Sequence, residues 1–275
     1  MRRAGVLAAA LVVLTVGASA AGATSTAPRD YYLALGDSMA YGFQPTKAAR
    51  RLPPSAFDTG YVDVFAARLR ALAPGIRVVN YGCPGESTVT FTKGGCPWLA
   101  EGKRLHDGFR GSQIDAALAF LRAHRGEVSP ITVTLWGNDF FALVDACKGG
   151  PACVQKRTGT IASRIGTILT RLRQAAPTSE IIVTGAWNPG AEDFAQTDPV
   201  FRSLDGQIRR AAASTRARVA DMQKVFNTGG TPAARRARIC SLTFMCKGGD
   251  PHPTNAGYRE MAKAFLAASG YPPKR

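Results

Sequence analysis

The sequence predicts an α/β fold: a three-layer α/β/α sandwich with a mainly five-stranded parallel sheet in the flavodoxin-like arrangement. Short apolar runs rich in β-branched residues alternate along the chain with amphipathic helical patterns. The runs are apolar throughout, which is typical of parallel strands that helices cover on both faces. The predicted strands are residues 32–35, 76–80, 131–136, 181–184 and 217–220.

Helical periodicity fills the intervals between these strands. In a sheet of this kind, ligands bind beyond the carboxyl ends of the strands. The residues that directly follow each predicted strand are therefore the candidates for a functional site. The predicted helices are residues 61–72, 113–124, 154–176, 200–215 and 255–268.

The N-terminal residues have the order of a secretory signal peptide. Two arginines precede a short apolar core, and small residues follow it, with Ala-Ser-Ala at 18–20 as a cleavage site and Ala-Gly-Ala at 21–23 as a second one. The core is too short for a membrane anchor, and no later segment is apolar for long enough, so we expect an exported protein without a transmembrane anchor. The expected units are a signal peptide at 1–20, a short linker at 21–29 and a single domain at 30–275.

The chain is strongly basic, with 35 Lys and Arg against 19 Asp and Glu and a formal net charge of +16. Such a surface attracts anionic polymers or lipid headgroups, although scattered arginines on solvated helix faces also serve solubility. No basic stretch is interleaved with aromatic residues, so we expect no nucleic-acid partner. We expect a monomer whose substrate lies at a lipid or anionic surface.

Six cysteines form three close pairs along the chain, which predicts three local disulfides in an oxidising compartment. Six cysteines formally allow 15 connectivities. Metal ligation is the competing interpretation, but no Cys-x-x-Cys occurs and no histidine stands at ligand spacing, so no metal is expected. The predicted pairs are Cys83 with Cys96, Cys147 with Cys153, and Cys240 with Cys246.

Residue types suited to acyl transfer follow the first three predicted strands. Ser38 follows the first, a glycine-rich turn at 80–87 follows the second, and Asn138 follows the third. A serine hydroxyl needs an adjacent base to become a nucleophile, and histidine is suited to that task. The Ser38 N–H, a glycine N–H and the Asn138 amide would stabilise the tetrahedral oxyanion. These residues predict an acyl-transfer site at one edge of the sheet.

Four segments resemble, in order, the conserved blocks of the SGNH (GDSL-type) hydrolase family. GDSMAYG begins at Gly36, NYGCPGES at Asn80, WGNDF at Trp136 and DPHPTNAGY at Asp250. The resemblance spans residues 33–258 and is closest to secreted, disulfide-bearing bacterial esterases and lipases. It implies a three-layer fold and a secreted serine esterase or lipase that hydrolyses carboxylic (acyl) esters, with no metal or organic cofactor.

The resemblance also implies roles for individual residues. Ser38 is the expected nucleophile and His252 the expected general base, while Gly85 and Asn138 are the expected oxyanion donors together with the Ser38 amide. Gly82 is a rival for Gly85, because both lie in the same turn. We favour Gly85, since its place before Glu-Ser fits the second block of the family better.

The third member of the triad departs from the family pattern. The family commonly has its acid three residues before the histidine, where this chain has Gly249, and the nearest carboxylate is Asp250, two residues before. We favour Asp250 as the residue that orients His252. Three alternatives stay open: a main-chain carbonyl near Gly248 or Gly249, the carboxylate of Asp221 after the fifth strand, and a catalytic dyad without an acid.

Two other functions are compatible with the sequence. Relatives in the family deacetylate polysaccharides, so this activity is the second enzymatic hypothesis. A non-catalytic, basic polymer-binding protein on a hydrolase scaffold is the third, and the intact nucleophile, base and oxyanion residues argue against it. Asp37 is expected to support the turn at Ser38, and Trp136 and residues 140–141 are expected in the core or in a pocket wall.

Overall fold

The computed structural model of the chain describes Met1, residues 27–190 and residues 194–271. Apart from Met1, the predicted signal peptide lies outside the described residues, and so do residues 21–26 of the predicted linker. Within the part of the chain that the structure describes, no helix has the length and apolar character needed to cross a membrane.

A five-stranded parallel sheet forms the centre of the molecule, which confirms the predicted fold class. The strands run in the order β2-β1-β3-β4-β5, so the chain reverses its direction of winding between β1 and β3. Such a switch point opens a crevice at the carboxyl ends of the two strands. The strands are β1 (Tyr31–Gly36), β2 (Arg77–Asn80), β3 (Val128–Thr134), β4 (Ile181–Thr184) and β5 (Arg218–Ala220).

Helices and one small hairpin surround the sheet. The helices are α1 (Ser38–Tyr41), α2 (Pro45–Ala49), α3 (Tyr61–Arg70), α4 (Thr88–Lys93), α5 (Pro97–Ala100), α6 (Gln113–Ala123), α7 (Gly137–Ala146), α8 (Pro151–Ala175), α9 (Phe194–Ser214), α10 (Met222–Phe226), α11 (Pro232–Leu242), α12 (Met245–Gly248) and α13 (Asn255–Ala268). A 3-10 turn covers Pro54–Phe57. The hairpin pairs β6 (Thr243–Phe244) with β7 (Asp250–Pro253) in antiparallel fashion.

Neighbouring residues of β1 show that helices cover both faces of the sheet. Successive side chains of a strand point to opposite faces. The ring of Tyr31 packs edge-on against Phe120 of α6, whereas the ring of Tyr32 packs edge-on against Phe65 of α3. Every residue of β1 is buried. The sheet therefore separates an α6 layer from an α3 layer, as the uninterrupted apolar runs predict.

The end of β3 differs from the prediction. The strand stops at Thr134 rather than at Trp136, and Trp136 instead precedes α7 with a φ of 145°. A helix at 137–146 was not predicted at all. The prediction failed because Trp136 is apolar and buried like the strand, so composition alone does not separate a strand residue from a buried helix cap.

All three predicted disulfides are present, with the predicted pairing. One joins the turn after β2 to the start of α5, and another joins α11 to α12, the short helix that connects β6 to β7 within the hairpin. The remaining one ties the end of α7 to α8. The disulfides thus constrain segments that flank the carboxyl edge of the sheet. The pairs are Cys83–Cys96, Cys147–Cys153 and Cys240–Cys246.

Candidate active site

Ser38, His252 and Asp250 form a continuous hydrogen-bonded group at the carboxyl end of β1. The Ser38 Oγ lies 2.8 Å from the His252 Nε2, and the His252 Nδ1 lies 2.7 Å from the Asp250 Oδ1. Each distance is that of a hydrogen bond. The structure therefore brings together three residues that the sequence analysis singled out, of which two are 214 positions apart in the chain.

The residues 36–38, called here the nucleophile turn, present Ser38 at the edge of the sheet. Gly36 has a φ of 128°, and a Cβ on it would lie 2.1 Å from the Thr134 carbonyl oxygen, so only glycine fits there. Asp37 caps α1: its carboxylate accepts a hydrogen bond from the Met39 N–H at 2.9 Å and another from the Thr134 hydroxyl at 3.0 Å. Because Asp37 is the helix cap, the Ser38 hydroxyl remains directed at His252.

The hairpin explains how an acid only two residues before the histidine reaches the imidazole. The Asp250 Oδ1 accepts hydrogen bonds from the His252 main-chain N–H at 2.8 Å and from the Nδ1 side of its ring at 2.7 Å. The carboxylate thus folds back over Pro251 in a local turn. Burial raises the pKa of the Asp250 carboxyl, but the hydrogen bonds and charge of His252 outweigh burial and hold that pKa below its ordinary value.

The other candidates for orienting His252 lie elsewhere or make no contact with it. The Asp221 carboxylate caps α10 through the Lys224 N–H at 3.0 Å and pairs with the Arg209 guanidinium at 3.3 Å. Among the described residues, the ring nitrogens of His252 contact Ser38 and Asp250 and no main-chain carbonyl. On the other side, the Phe43 ring packs 4.5 Å from the imidazole and limits its rotation.

Candidate donors for an oxyanion lie on the residues 82–88, called here the oxyanion loop, and on Asn138. The Asn138 Nδ2 donates one hydrogen bond to the Glu86 carbonyl oxygen at 2.9 Å, which leaves its second amide hydrogen available. Neither the Ser38 N–H nor the Gly85 N–H has a hydrogen-bond partner within the described part of the chain. The Gly82 N–H is used by the Asn80 Oδ1 at 2.9 Å, so the geometry favours Gly85 over Gly82 as a donor.

A second pair of contacts locks the oxyanion loop to α7. The Thr88 N–H and hydroxyl both donate to the Asp139 carboxylate, at 2.8 and 2.5 Å. Gly85 itself adopts a φ of 86°, a conformation that favours glycine. The two segments that carry oxyanion donors are therefore held as one unit.

Two buried polar residues near this site were missed by the sequence analysis. Gln113, at the start of α6, contacts Gly36, and Glu86 contacts Gln113, both by side-chain hydrogen bonds. Glu86 stands inside the second block, directly after Gly85, which is the one signal that could have pointed to it. Nothing in the local sequence of Gln113 distinguishes it from a surface residue at a helix start.

One cluster of metal-ligating residue types occurs among the described residues, made of Cys83, Glu86 and Cys96. Its two sulfur atoms share a disulfide, so they cannot bind a cation as thiolates. The reaction expected at the site uses only side chains and main-chain amides.

An apolar cavity of about 40 Å³ lies beside the nucleophile turn. It is bordered by Asp37 and by Pro251, the neighbours of Ser38 and His252 in the chain. Trp136 and Phe141 are part of its wall, in accord with their expected place in a pocket wall. The further apolar residues in its wall are Met39, Leu135, Trp187, Pro189, Met222 and Met261.

Glu86 makes the stability of the protein depend on pH. Burial raises the pKa of its carboxyl from 4.5 to about 7, although a hydrogen bond from Gln113 opposes the rise. The folded state therefore holds this proton more tightly than the unfolded state. The stabilisation that the bound proton gives the folded state is complete below pH 4.5 and is lost as the pH rises to about 7. In the wild type, this loss lowers the unfolding free energy by an amount on the order of 3 kcal/mol over this pH range, and we expect Glu86→Gln to abolish it.

Chemical denaturation at several pH values between 4.5 and 8 measures this effect. Glu101→Gln is the matched control, because Glu101 is an exposed glutamate that pairs with Lys103 on the surface. It should leave the pH profile of the wild type unchanged. An unchanged profile for Glu86→Gln would contradict a proton held by the buried Glu86.

The fold and this site define a hydrolase class: a parallel α/β sandwich with a serine, histidine and carboxylate at the carboxyl edge of its sheet. The model of the GDSL-like lipase/acylhydrolase family matches residues 34–260, and the chain belongs to this family. It is a carboxylic ester hydrolase. Among curated proteins, none matches the chain significantly.

Solved structures share the fold at low sequence identity. An acetylxylan esterase from Geobacillus stearothermophilus is 19% identical, with a TM-score of 0.55 over 90% of this chain and 97% of that chain. An extracellular lipase from Streptomyces rimosus is 17% identical, with a TM-score of 0.53 over 86% and 99%. A lipase from a goat rumen metagenome is 16% identical, with a TM-score of 0.57 over 88% and 98%. At these identities the likeness supports the fold.

Proposed function

We propose that this protein is a secreted serine esterase that hydrolyses acyl esters through a Ser38-bound acyl-enzyme. The observation that carries the proposal is the hydrogen-bond chain from the Ser38 hydroxyl through both nitrogens of His252 to Asp250, at 2.8 and 2.7 Å. Nucleophile, base and orienting acid in this order are the parts that such catalysis requires. A non-catalytic polymer-binding protein would use none of the three.

In the first half of the reaction, the Ser38 Oγ attacks the ester carbonyl carbon while the His252 Nε2 takes the hydroxyl proton. The Ser38 and Gly85 N–H groups and the Asn138 Nδ2 donate to the developing oxyanion. The C–O bond to the alcohol then breaks, and the imidazolium returns the proton to the leaving oxygen. Asp250 holds the Nδ1–H and stabilises the imidazolium throughout.

In the second half, water hydrolyses the acyl-enzyme. The His252 Nε2 takes a proton from the water as its oxygen attacks the acyl carbon, and it then protonates the Ser38 Oγ as the acid leaves. The same oxyanion donors act a second time. The products are one carboxylic acid and one alcohol, and the enzyme is regenerated.

Secretion is supported by two independent features. The N-terminal residues have the order of a signal peptide, and the described part of the chain contains three disulfides and no free cysteine. One similar structure is that of an extracellular lipase. The positive charge of +16 supports a substrate that is presented at an anionic surface, either lipid or polymer.

The small cavity supports short acyl chains as substrates. A cavity needs roughly 10–15 Å³ to hold one water molecule, so about 40 Å³ holds roughly three groups of that size. That space suits an acetyl to butyryl group. The cavity also favours the second candidate function, deacetylation of a polysaccharide, because an acetyl group fits and because one similar structure is an acetylxylan esterase.

A chain-length profile tests this substrate class. With p-nitrophenyl esters from acetyl to palmitoyl, we expect kcat/KM to be highest between acetyl and butyryl and to fall beyond. Phe141 lines the cavity and is 44% exposed, so Phe141→Ala opens the cavity toward solvent and should raise kcat/KM for octanoyl esters by roughly tenfold.

Leu99→Ala is the matched control for Phe141→Ala. Leu99 is also an exposed apolar side chain, at 37%, and it does not line the cavity. Its replacement should leave the profile unchanged. A wild-type profile that rises toward palmitoyl esters would contradict the short-chain proposal, and comparison of acetylated xylan with simple acetyl esters separates polysaccharide deacetylation from general esterase activity.

A further inference from the structure

Gln113 holds the peptide that precedes the nucleophile. It is fully buried at the start of α6, a helix that contributes none of the reacting groups. Its Oε1 accepts a hydrogen bond from the Gly36 N–H at 2.6 Å, and its Nε2 donates to the Gly36 carbonyl oxygen at 3.0 Å. One side chain thus binds both main-chain groups of Gly36, whose carbonyl oxygen also accepts a hydrogen bond from the Cys83 N–H at 3.0 Å. It supports the nucleophile turn where β1 ends.

The same Gln113 amide reaches the oxyanion loop. Its Nε2 also donates to the Glu86 Oε2 at 3.0 Å, and Glu86 is 1% exposed. The main chain of Glu86 in turn accepts the Asn138 amide at 2.9 Å. A continuous chain of hydrogen bonds therefore runs from Gly36 through Gln113 and Glu86 to Asn138. It joins the nucleophile turn to the oxyanion loop.

Burial of these hydrogen-bonded side chains costs folding free energy, and a purely structural role does not explain that cost. The Glu86 Oε1 is buried and has no hydrogen-bond partner within the described residues. A buried polar atom without a partner is unfavourable, and an apolar side chain at this position would avoid the cost. Oxyanion donors, in contrast, need positions fixed to within about half an ångström, which packing of a loop alone seldom provides.

We propose that Gln113 and Glu86 are positioning residues that hold the nucleophile turn and the oxyanion loop at the separation the transition state requires. They touch no substrate. They act through Gly36 on the Ser38 N–H and through the Glu86 main chain on Asn138. The inference rests on the proposed function, because it assigns the two residues to the oxyanion site of that reaction.

The expected effect of Gln113→Ala is a loss of kcat with little change in KM. The oxyanion exists only in the transition state, so misplaced donors weaken transition-state binding and leave substrate binding nearly intact. For p-nitrophenyl acetate, we expect kcat to fall by about 10- to 100-fold with KM within about twofold. Binding of a phenylboronic acid, whose tetrahedral adduct on Ser38 places an oxygen among the donors, should weaken in parallel with kcat.

Leu121→Ala is the matched control on the same helix. Leu121 is 2% exposed and packs in the core, so its truncation lowers the melting temperature without touching the hydrogen-bond chain. It should leave kcat and boronate binding at wild-type values. If Leu121→Ala and Gln113→Ala lost the same amount of stability and also the same factor in kcat, the proposal would be overturned.

Two further variants test the link itself. Glu86→Gln keeps an oxygen that accepts from Gln113 and should retain kcat, whereas Glu86→Leu removes the acceptor and should lose about as much as Gln113→Ala. Because both losses break one link, the double variant Gln113→Ala with Glu86→Leu should lose no more than the larger single loss. Losses that multiply would overturn the proposal.

If Gln113→Ala does not fold, Gln113→Glu replaces it, since this side chain keeps its size and loses the amide donors. The same fall in kcat is expected, and a wild-type kcat for the folded variant would overturn the proposal. Failure of the proposed function is distinguishable from failure of this inference. If the proposed function fails, the wild type shows no ester hydrolysis that depends on Ser38. If only this inference fails, the wild type hydrolyses esters, Ser38→Ala abolishes that activity, and the Gln113 variants keep the wild-type kcat.

Discussion

Ser38→Ala is expected to lower kcat for p-nitrophenyl ester hydrolysis by about 10⁶-fold while the protein remains folded. Removal of either the nucleophile or the base of a serine triad has an effect of this size, because the two act as one unit. The Ser38 Oγ makes its hydrogen bond to His252, and Asp37, not Ser38, caps α1, so the fold loses little. His252→Ala should fall to the same level, and the double variant should lose no more.

Steady-state rates and thermal unfolding of the same preparations measure this prediction. Thr231→Ala is the matched control for a helix cap, because the Thr231 side chain caps α11 away from the triad. It should cost about 1 kcal/mol of stability and leave kcat unchanged. If Ser38→Ala behaved like Thr231→Ala, Ser38 would be a structural residue and the proposed mechanism would fail.

Asp250→Asn is expected to lower kcat by about 10⁴-fold. The amide keeps the size of the side chain but presents no charge to the imidazolium and favours the wrong ring tautomer, which is the effect of this change in other triads. Asp250 contacts the His252 Nδ1 at 2.7 Å, which is why we propose it for that role, although the family pattern has its acid one residue earlier.

Asp221→Asn is the matched control for this change. Asp221 follows β5 and was the rival carboxylate in the sequence, but its contacts are with α10 and Arg209. We expect its replacement to preserve kcat. Near wild-type turnover for Asp250→Asn would show that His252 needs no acid and would favour a dyad. A large loss for Asp221→Asn would show that Asp221, and not Asp250, orients His252.

The fold was predictable because its signals are local. The apolar run of β1 and the periodicity of α13 are read directly from the sequence, and α13 begins and ends at the predicted residues. Helix α7 was not predicted, because its first turn carries the polar oxyanion residues and Trp136 ahead of it reads as strand. The helix forms where Asp139 is tied to Thr88, a contact between residues 51 positions apart.

The candidate site was predictable only in part, because some of its contacts join residues that are far apart in the chain. Ser38, Gly85, Asn138 and His252 stand in motifs whose order indicates their chemistry, and the structure places them at one edge of the sheet. The side chain that orients His252 could not be chosen from spacing, because the turn at Pro251 decides it. Gln113 contacts Gly36 from 77 positions away, a distance along the chain that no local pattern reports.

The intact mass of the protein after reaction with a fluorophosphonate, which forms a tetrahedral adduct on an activated serine, tests directly whether Ser38 is the nucleophile. We predict a single adduct on the wild type, assigned to Ser38 by peptide mapping, and no adduct on Ser38→Ala. Labelling should be strongly slowed in His252→Ala, whose serine lacks its base. A wild type that forms no adduct, or one located on another serine, would contradict the claim that Ser38 is the activated nucleophile.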